Sequence, residues 1–515
     1  MGERVMQAQK WGEWLGPGVA AAAIGLLIAF LPLATAAALL LVPAVLILIY
    51  LFPLFGLGLA LLAGPFGALE SVLLGPSPLD SGQLLLLVTL VIWLLKGLGR
   101  GRVVIPATSL NGPLLLFLTV ATLSALGAPS LEIALRELLK WVEILFIIWL
   151  VADLRLTRDD LPLWPRFKRQ QGLHFTSYLF PLLVLLPALL QAAIGIWQFG
   201  LRDDGPVHFL ILGRFYRAYG TFEQPNPFGG YMALNASLAL GMLVGLLVYY
   251  DVWGGVSAAW RNRRFIFQTL RPIPNVLWLG FVGLTAAATS LALVMSWSRG
   301  AWLGFAAAGG ALILFLPRKR WQGIVLAGLA LATLWVGLQF NLLPASLAER
   351  LTSWQDDFQF GDVRGVDIND ANYAVLERLA HWQAALDMAR DHLWLGVGFG
   401  NYESAYRDYA LINWPYPLGH AHNYYLNLLA EVGVIGTVAY LLLWGTIFGQ
   451  TISLLKLTDW RFRGLVLGLL AAWTALTIHH LLDKLYVNNL YVHLGAMTGL
   501  LVMLKAEAKE LQSPD

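Results

Sequence analysis

The chain has 515 residues, 58% of them hydrophobic and only 13% charged, with no cysteine and a formal net charge of +3. A soluble domain carries about 25% charged residues, so this composition excludes a water-covered globular surface and points to a lipid bilayer as the solvent. The absence of cysteine excludes disulfides, thiolate metal sites and a cysteine nucleophile, and the small positive charge is no sign of nucleic acid because the basic residues fall in short loops between apolar runs.

A membrane-crossing helix needs about 20 mainly apolar residues. Residues 1–18, with Glu3, Arg4, Lys10 and Glu13, do not read as a cleaved signal peptide. Residues 19–64 are apolar throughout, and Pro32, Pro43 and Pro53 divide them into two spans or three short ones. Further spans are predicted near 82–97, 111–128, 131–152, 178–200, 227–250, 276–297, 300–316, 323–342, 425–449, 464–482 and 487–504. The expectation is an all-α polytopic membrane protein of about 12–14 transmembrane helices, with residues 1–515 forming a single transmembrane domain.

Orientation follows from where Lys and Arg collect in short loops. Arg100 and Arg102, the run from Arg155 to Arg169, Arg261 to Arg271, Arg318 to Arg320, and Lys456, Arg461 and Arg463 all fall on one side, which is read as cytoplasmic. The other side receives 64–81, 201–226, the turn at Ser298-Arg299 and the long segment 343–424. Over 343–421 there are eleven acids and five arginines, a net charge of −6, as expected of a translocated loop. Within it Val375, Leu379, Trp382, Leu386, Ala389 and Leu393 alternate steps of four and three, which predicts an amphipathic helix. Arg378, His381 and Arg390 are placed on its other side. A connection this long is commonly a lid or a binding element.

Four segments on the external side carry candidate chemistry. In Arg217-Ala-Tyr-Gly-Thr-Phe-Glu-Gln-Pro-Asn-Pro-Phe-Gly-Gly230, prolines stiffen the start of a span, with Arg214 and Arg217 just outside the hydrocarbon. In Ser296-Trp-Ser-Arg-Gly-Ala-Trp302, Arg299 lies between two spans, and an arginine at that depth needs water, a counter-ion or a ligand phosphate. Arg378 lies on the amphipathic helix. His420 and His422 stand where the long loop returns to the membrane, and histidine is the side chain suited to proton transfer near neutrality. No acid or histidine follows at helical ligand spacing, so no metal or other cofactor is expected. Arginine's planar fork holds phosphate oxygens bidentately, so these arginines suit a diphosphate at a bilayer surface.

The sequence resembles the O-antigen ligase and polymerase superfamily of bacterial envelope proteins. His422-Asn423, nine residues, Gly433, two residues and Gly436 fit that family's histidine motif. Arg217 to Asn226, Ser298-Arg-Gly-Ala301, Glu377-Arg-Leu-x-x-Trp382 and Gly396-Val-Gly-Phe-Gly-Asn401 are similar to its other recurring segments, in the same order. The resemblance covers roughly residues 175–445. It implies a metal-independent, GT-C-type glycosyltransferase in the bacterial inner membrane, multi-pass, with its site on the extracytoplasmic face. Its partners would be a glycan donor on undecaprenyl diphosphate, a glycan or glycolipid acceptor and the bilayer, with no nucleic acid. By the same resemblance His422 would be the general base, and Arg299 and Arg378 would stabilise the leaving diphosphate. Arg217, Arg214, His420, Asn423 and Asn226 would contact substrate, and 343–424 would cap the site. His420 competes with His422, and Arg214 with Arg217. A repeat-unit polymerase of the same superfamily is the alternative function. A transporter of small solutes such as inorganic carbon is a further one, disfavoured because the distinctive charges sit at one boundary rather than at mid-membrane; His479, His480, Asp483 and Lys484, near the end of a late span, are the exception.

Overall fold

Pro32 and Pro53 begin two of the described helices, α1 (Leu33–Leu51) and α2 (Pro53–Ala63), where a missing N–H costs nothing. Pro43 stays inside α1, so it does not divide that apolar stretch. The computed structural model describes residues 19, 25, 31–75, 77, 79–101, 105–156, 175–202, 204–252, 273–340, 342, 362–369 and 372–512. Any span within 19–30, the basic residues Arg102, 157–169 and 261–271, and the acids Glu349, Asp356, Asp357 and Asp370 lie outside the described residues.

The helices continue as α3 (Gly67–Leu74), α4 (Ser81–Gly99), α5 (Asn111–Ala125), α6 (Leu131–Leu156), α7 (Phe180–Gly200), α8 (Pro225–Tyr249), α9 (Ile273–Met295), α10 (Arg299–Phe315) and α11 (Arg320–Gln339). After these come α12 (Tyr373–Asp391), α13 (Tyr402–Tyr409), α14 (Tyr424–Leu454), α15 (Trp460–His479) and α16 (Leu490–Gln512). The strands among the described residues form a two-residue antiparallel pair, Leu210–Ile211 with Phe215–Tyr216. Nine helical segments among the described residues are long and apolar enough to cross a membrane, and α5 and α10 are shorter apolar helices. Each span predicted beyond residue 80 coincides with a helix. The chain is an all-α, multi-pass membrane protein.

The centre of the bundle is the pair α8 and α15. Gly241 and Gly245 of α8 lie against Gly464 and Gly468 of α15, so close that a methyl group at Gly241 would strike the backbone of Gly468. In a bilayer helices gain little by burying apolar surface, and small residues that admit backbone contact supply the attraction instead. Around this seam the connections sort to two ends. At one end Arg318 donates to Thr458 O, Arg463 reaches the carbonyls of Leu455, Phe315 and Leu316, and Arg461 lies over Tyr249. These belong to the basic loops that the sequence places together. At the other end gather the loops carrying the four candidate segments.

Above that second end, α12 and α13 pack on each other through Ala384, Ala385, Met388, Tyr402 and Tyr406, and onto Ala430 of α14. The predicted amphipathic helix is present, with Leu379 and Ala389 of its predicted stripe packed inward and the inward side rotated past the rest of that stripe. Its packed side is built from Ala380, His381, Ala384, Ala385 and Met388, all buried, while Leu386 and Leu393 of the long apolar stripe are exposed. Alanine lets α12 approach α13 and α14 closely, which leucine at those positions would prevent. His381, placed on the polar side by the spacing, is 1% exposed and part of this packing.

α14 is not continuous. At Gly433 the backbone turns to φ 62°, ψ −166°, because the segment after α12 runs through the gap. Val397 N–H donates to Ala430 O (2.8 Å), Gly398 N–H to Glu431 O (3.0 Å) and Val434 N–H to Leu393 O (2.8 Å). A side chain at 433 would overlap the Trp394 carbonyl, and one at 396 would overlap Glu431. The two glycines therefore make the joint between α14 and the segment above it.

Candidate active site

The arginine of the first segment is held by main chain. Its own N–H donates to Phe209 O (2.9 Å), and Ala218 N–H donates to Met295 O (2.9 Å), which ties this loop to the end of α9. The Arg217 Nε then donates to Ser296 O at 2.9 Å and a terminal nitrogen to Asn226 Oδ1 at 3.3 Å. Arg214 stands apart, exposed at the strand turn with its guanidinium over the Phe215 ring. The two arginines left open by sequence are therefore in different surroundings.

The second segment is a turn through Trp297 at φ 54°, after which Ser298 caps α10 by accepting from Ala301 N–H. Arg299 is the first residue of α10, where a helix presents unpaired N–H groups and a positive end. Gly229 allows α8 to lie under this turn, because a methyl there would sit 2.9 Å from Ala301 Cβ. Gly300 is seated on the imidazole of His479, which a methyl would approach to 3.1 Å, and Gly230 faces the same ring.

His420 and His422 come next. His422 has φ 52°, and its N–H donates to His420 Nδ1 at 3.0 Å. Asn423 then caps α14 by accepting from the N–H groups of Tyr425 and Leu426, so its side chain serves the helix end. The His422 ring lies 4.5 Å from His420 and 5.9 Å from His381 between centroids, and neither of its nitrogens has a hydrogen-bond partner among the described residues. His381, one turn after Arg378, stacks on Tyr406 at 4.6 Å and its Nδ1 lies 2.9 Å from Tyr402 Oη.

What draws these parts together is the turn after α15. Asp483 Oδ1 is 3.4 Å from His420 Nε2, and Tyr424 N–H donates to His480 O at 2.8 Å. Lys484 makes a 3.0 Å ion pair with Glu137 of α6. Burial, then the neighbouring His420, and also Arg378 push the His422 imidazole well below its usual value, against the opposing pull of Asp483. His420 is lowered by burial and by Lys484 and Arg378, and His381 falls to about 4 through burial and the charge of His420. Burial raises Asp483, but His420, His479 and His422 together hold its carboxyl below the usual carboxylate range. Arg378 is thus within electrostatic reach of both candidate histidines.

Two expectations need correction. The first is the reason for expecting no metal: His420, His422 and Asp483 offer ligand atoms within 4.8 Å of one another, the acid arriving from another span rather than from helical spacing. The donor set still argues against a ligand role for His420. Its Nδ1 accepts the His422 N–H, so the ring proton sits on Nε2, and that face offers Asp483 a proton rather than a cation a lone pair. The second is the reading of 479–484 as an exception to the boundary pattern. His479 and Asp483 are buried among the candidate residues, and four ionisable groups closing an apolar span were the signal for it. His381 went unmarked because its spacing suggested a solvated face.

No curated protein sequence matches the chain. The family model described as O-antigen ligase matches residues 284–441, a stretch that holds Arg299, Arg378, His420, His422 and Asn423. The match supports a membrane glycosyltransferase of the O-antigen ligase or polymerase type. Over this stretch, about a third of its length, the chain is similar to the O-antigen ligase family.

Proposed function

We propose that the protein transfers a glycan from undecaprenyl diphosphate to an acceptor hydroxyl, on the extracytoplasmic face of the bacterial inner membrane, as a ligase. The observation that carries this reading is that the buried Asp483 lies against His420, with the unpartnered imidazole of His422 beside it and Arg378 in electrostatic reach of both, while His479 of the same turn is seated under Gly300, the neighbour of Arg299. Cations positioned in a low-dielectric, water-poor site act most strongly on charge that develops during reaction. His422 takes the proton of the acceptor hydroxyl as its oxygen attacks the anomeric carbon. The glycosidic oxygen departs with the lipid diphosphate, and Arg299 and Arg378, with Arg217 behind the Ser296 turn, hold the charge that appears there. His420 fixes the His422 backbone and Asn226 steadies Arg217, so both act through their neighbours. The reaction as written needs no metal. The α12–α13 unit closes over sugar and acceptor and excludes water that would hydrolyse the donor.

The test is His422→Ala in purified protein supplied with lipid-linked donor and acceptor. Transfer is expected to be abolished while expression and membrane insertion stay normal. Normal donor consumption by that variant would overturn the base assignment.

A further inference from the structure

We propose that Trp382 and Leu386 in the trailing half of α12, with Leu393, Trp394 and Leu395 just after it, form a lipid-embedded surface, seated in the bilayer leaflet nearest the candidate site. The face is turned away from the packed side of the helix. At the leading end it is covered, since Leu379 packs with Leu411 beside Trp414. Beyond it the large side chains are open, 37% exposed at Leu386, 46% at Leu393, 64% at Trp394 and 38% at Leu395, with the small Ala389 between them buried. A patch of this size and composition on a water-facing surface would be a liability.

Its height is fixed by α14. The main chain of Leu393 and Trp394 accepts from Val434 and Ile435, immediately past the break at Gly433. From there to its end α14 contains residues 434–454, which at 1.5 Å per residue span about 31 Å, close to the ~30 Å thickness of the hydrocarbon layer. Gly433 therefore marks the hydrocarbon boundary, and Trp394 lies at the level where tryptophan is enriched in membrane proteins. The same level of α14 exposes Ile435 and Val438 outward, so the apolar stripe continues the lipid-facing side of a membrane span. That continuity selects lipid over a protein partner. Arg390, on the flank of the stripe and exposed, has the length to reach the headgroups from there. Arg378, on the opposite flank and nearer the start of α12, is then carried just above the membrane surface, at the height of a lipid diphosphate.

The chain has no cysteine, so a single introduced thiol is a unique attachment point. Nitroxide labels are placed by Leu386→Cys and Trp394→Cys, with Leu441→Cys on the outer side of α14 and Asp408→Cys on α13 as references, all four positions being exposed. The full chain is reconstituted in phosphatidylethanolamine and phosphatidylglycerol vesicles, and collisions with oxygen and with a water-soluble nickel complex are compared. Labels at 386 and 394 are expected to favour oxygen, as at 441, with the ratio reversed at 408. A label at 386 or 394 that meets nickel as freely as the one at 408, or that is shielded from both reagents by a protein partner or a second copy, would refute the proposal. The readout is independent of glycan transfer, so it can fail while the proposed chemistry stands, and the reverse.

Discussion

At the scale of single residues, the proposed chemistry separates groups that hold charge from one group that moves a proton. If Arg299 and Arg378 stabilise the departing diphosphate, replacing either by alanine is expected to slow transfer by about 10²–10³-fold, comparable to losing one oxyanion donor, with donor turnover by purified protein as the measurement. The state of His422 gives a second expectation. A base must be neutral, and burial together with His420 and Arg378 lowers this imidazole below its ordinary value of 6.5. Its neutral form therefore persists to lower pH than that of a free histidine. The acid limb of kcat/KM should fall below pH 6.5 in a pH series on the free enzyme. Bound diphosphate adds negative charge beside the ring and pulls the value back up, so the limb of kcat should lie above that of kcat/KM. Coincident limbs at 6.5 would contradict this environment. Much of the site was legible residue by residue: a histidine and an asparagine at a motif spacing, and arginines at span boundaries. Asp483 was harder to read, because the partner that gives it meaning, His420, comes from a different span. His381 was hidden by the convention that polar positions on an amphipathic helix face water.

At the scale of elements, the histidine motif has a mechanical explanation. Asn423 caps the start of a helical segment, and Gly433 ends it by giving way to the backbone of Leu393 to Gly398. The nine residues between are the length of helix that separates the candidate base from the joint that holds the segment above it. Alanine at 433 would have to adopt φ 62° and would overlap the Trp394 carbonyl. Gly433→Ala is therefore expected to cost about 1–3 kcal/mol, the usual range for overpacking, seen as a lower midpoint of thermal unfolding in detergent, and to loosen α12 before the bundle. The period of α12 was legible in sequence, while its direction was not. An apolar stripe shows that a helix has two sides, and only the neighbours decide that Ala380, Ala384 and Ala385 pack inward here while Leu386 faces away.

At the scale of the whole molecule, the bundle gathers the candidate residues at one end and the described basic loop residues Arg318, Arg461 and Arg463 at the other. The sort was legible from hydropathy and from Lys and Arg alone, because both follow from the bilayer rather than from tertiary detail. The acceptor is not encoded in the same way, since ligase and polymerase share the bond that is made and differ in what receives the glycan. Deleting the protein from its cell and following the lipid-linked glycans separates the two. Full-length chains left unattached are expected for the ligase proposed here, and collapse of chain length would make it a polymerase.

The joint between α14 and the segment above it consists of main-chain hydrogen bonds and two glycines. Bonds between backbone groups do not depend on which side chains the segment carries. The lining of the cap is thus free to drift in sequence while its mounting stays fixed, provided that 396 and 433 remain glycine. Under the proposed function, a transferase mounted in this way can change its acceptor by exchanging cap residues between 363 and 419 that neither make the joint nor, like Arg378, hold charge, without rebuilding the buried turn at Asp483.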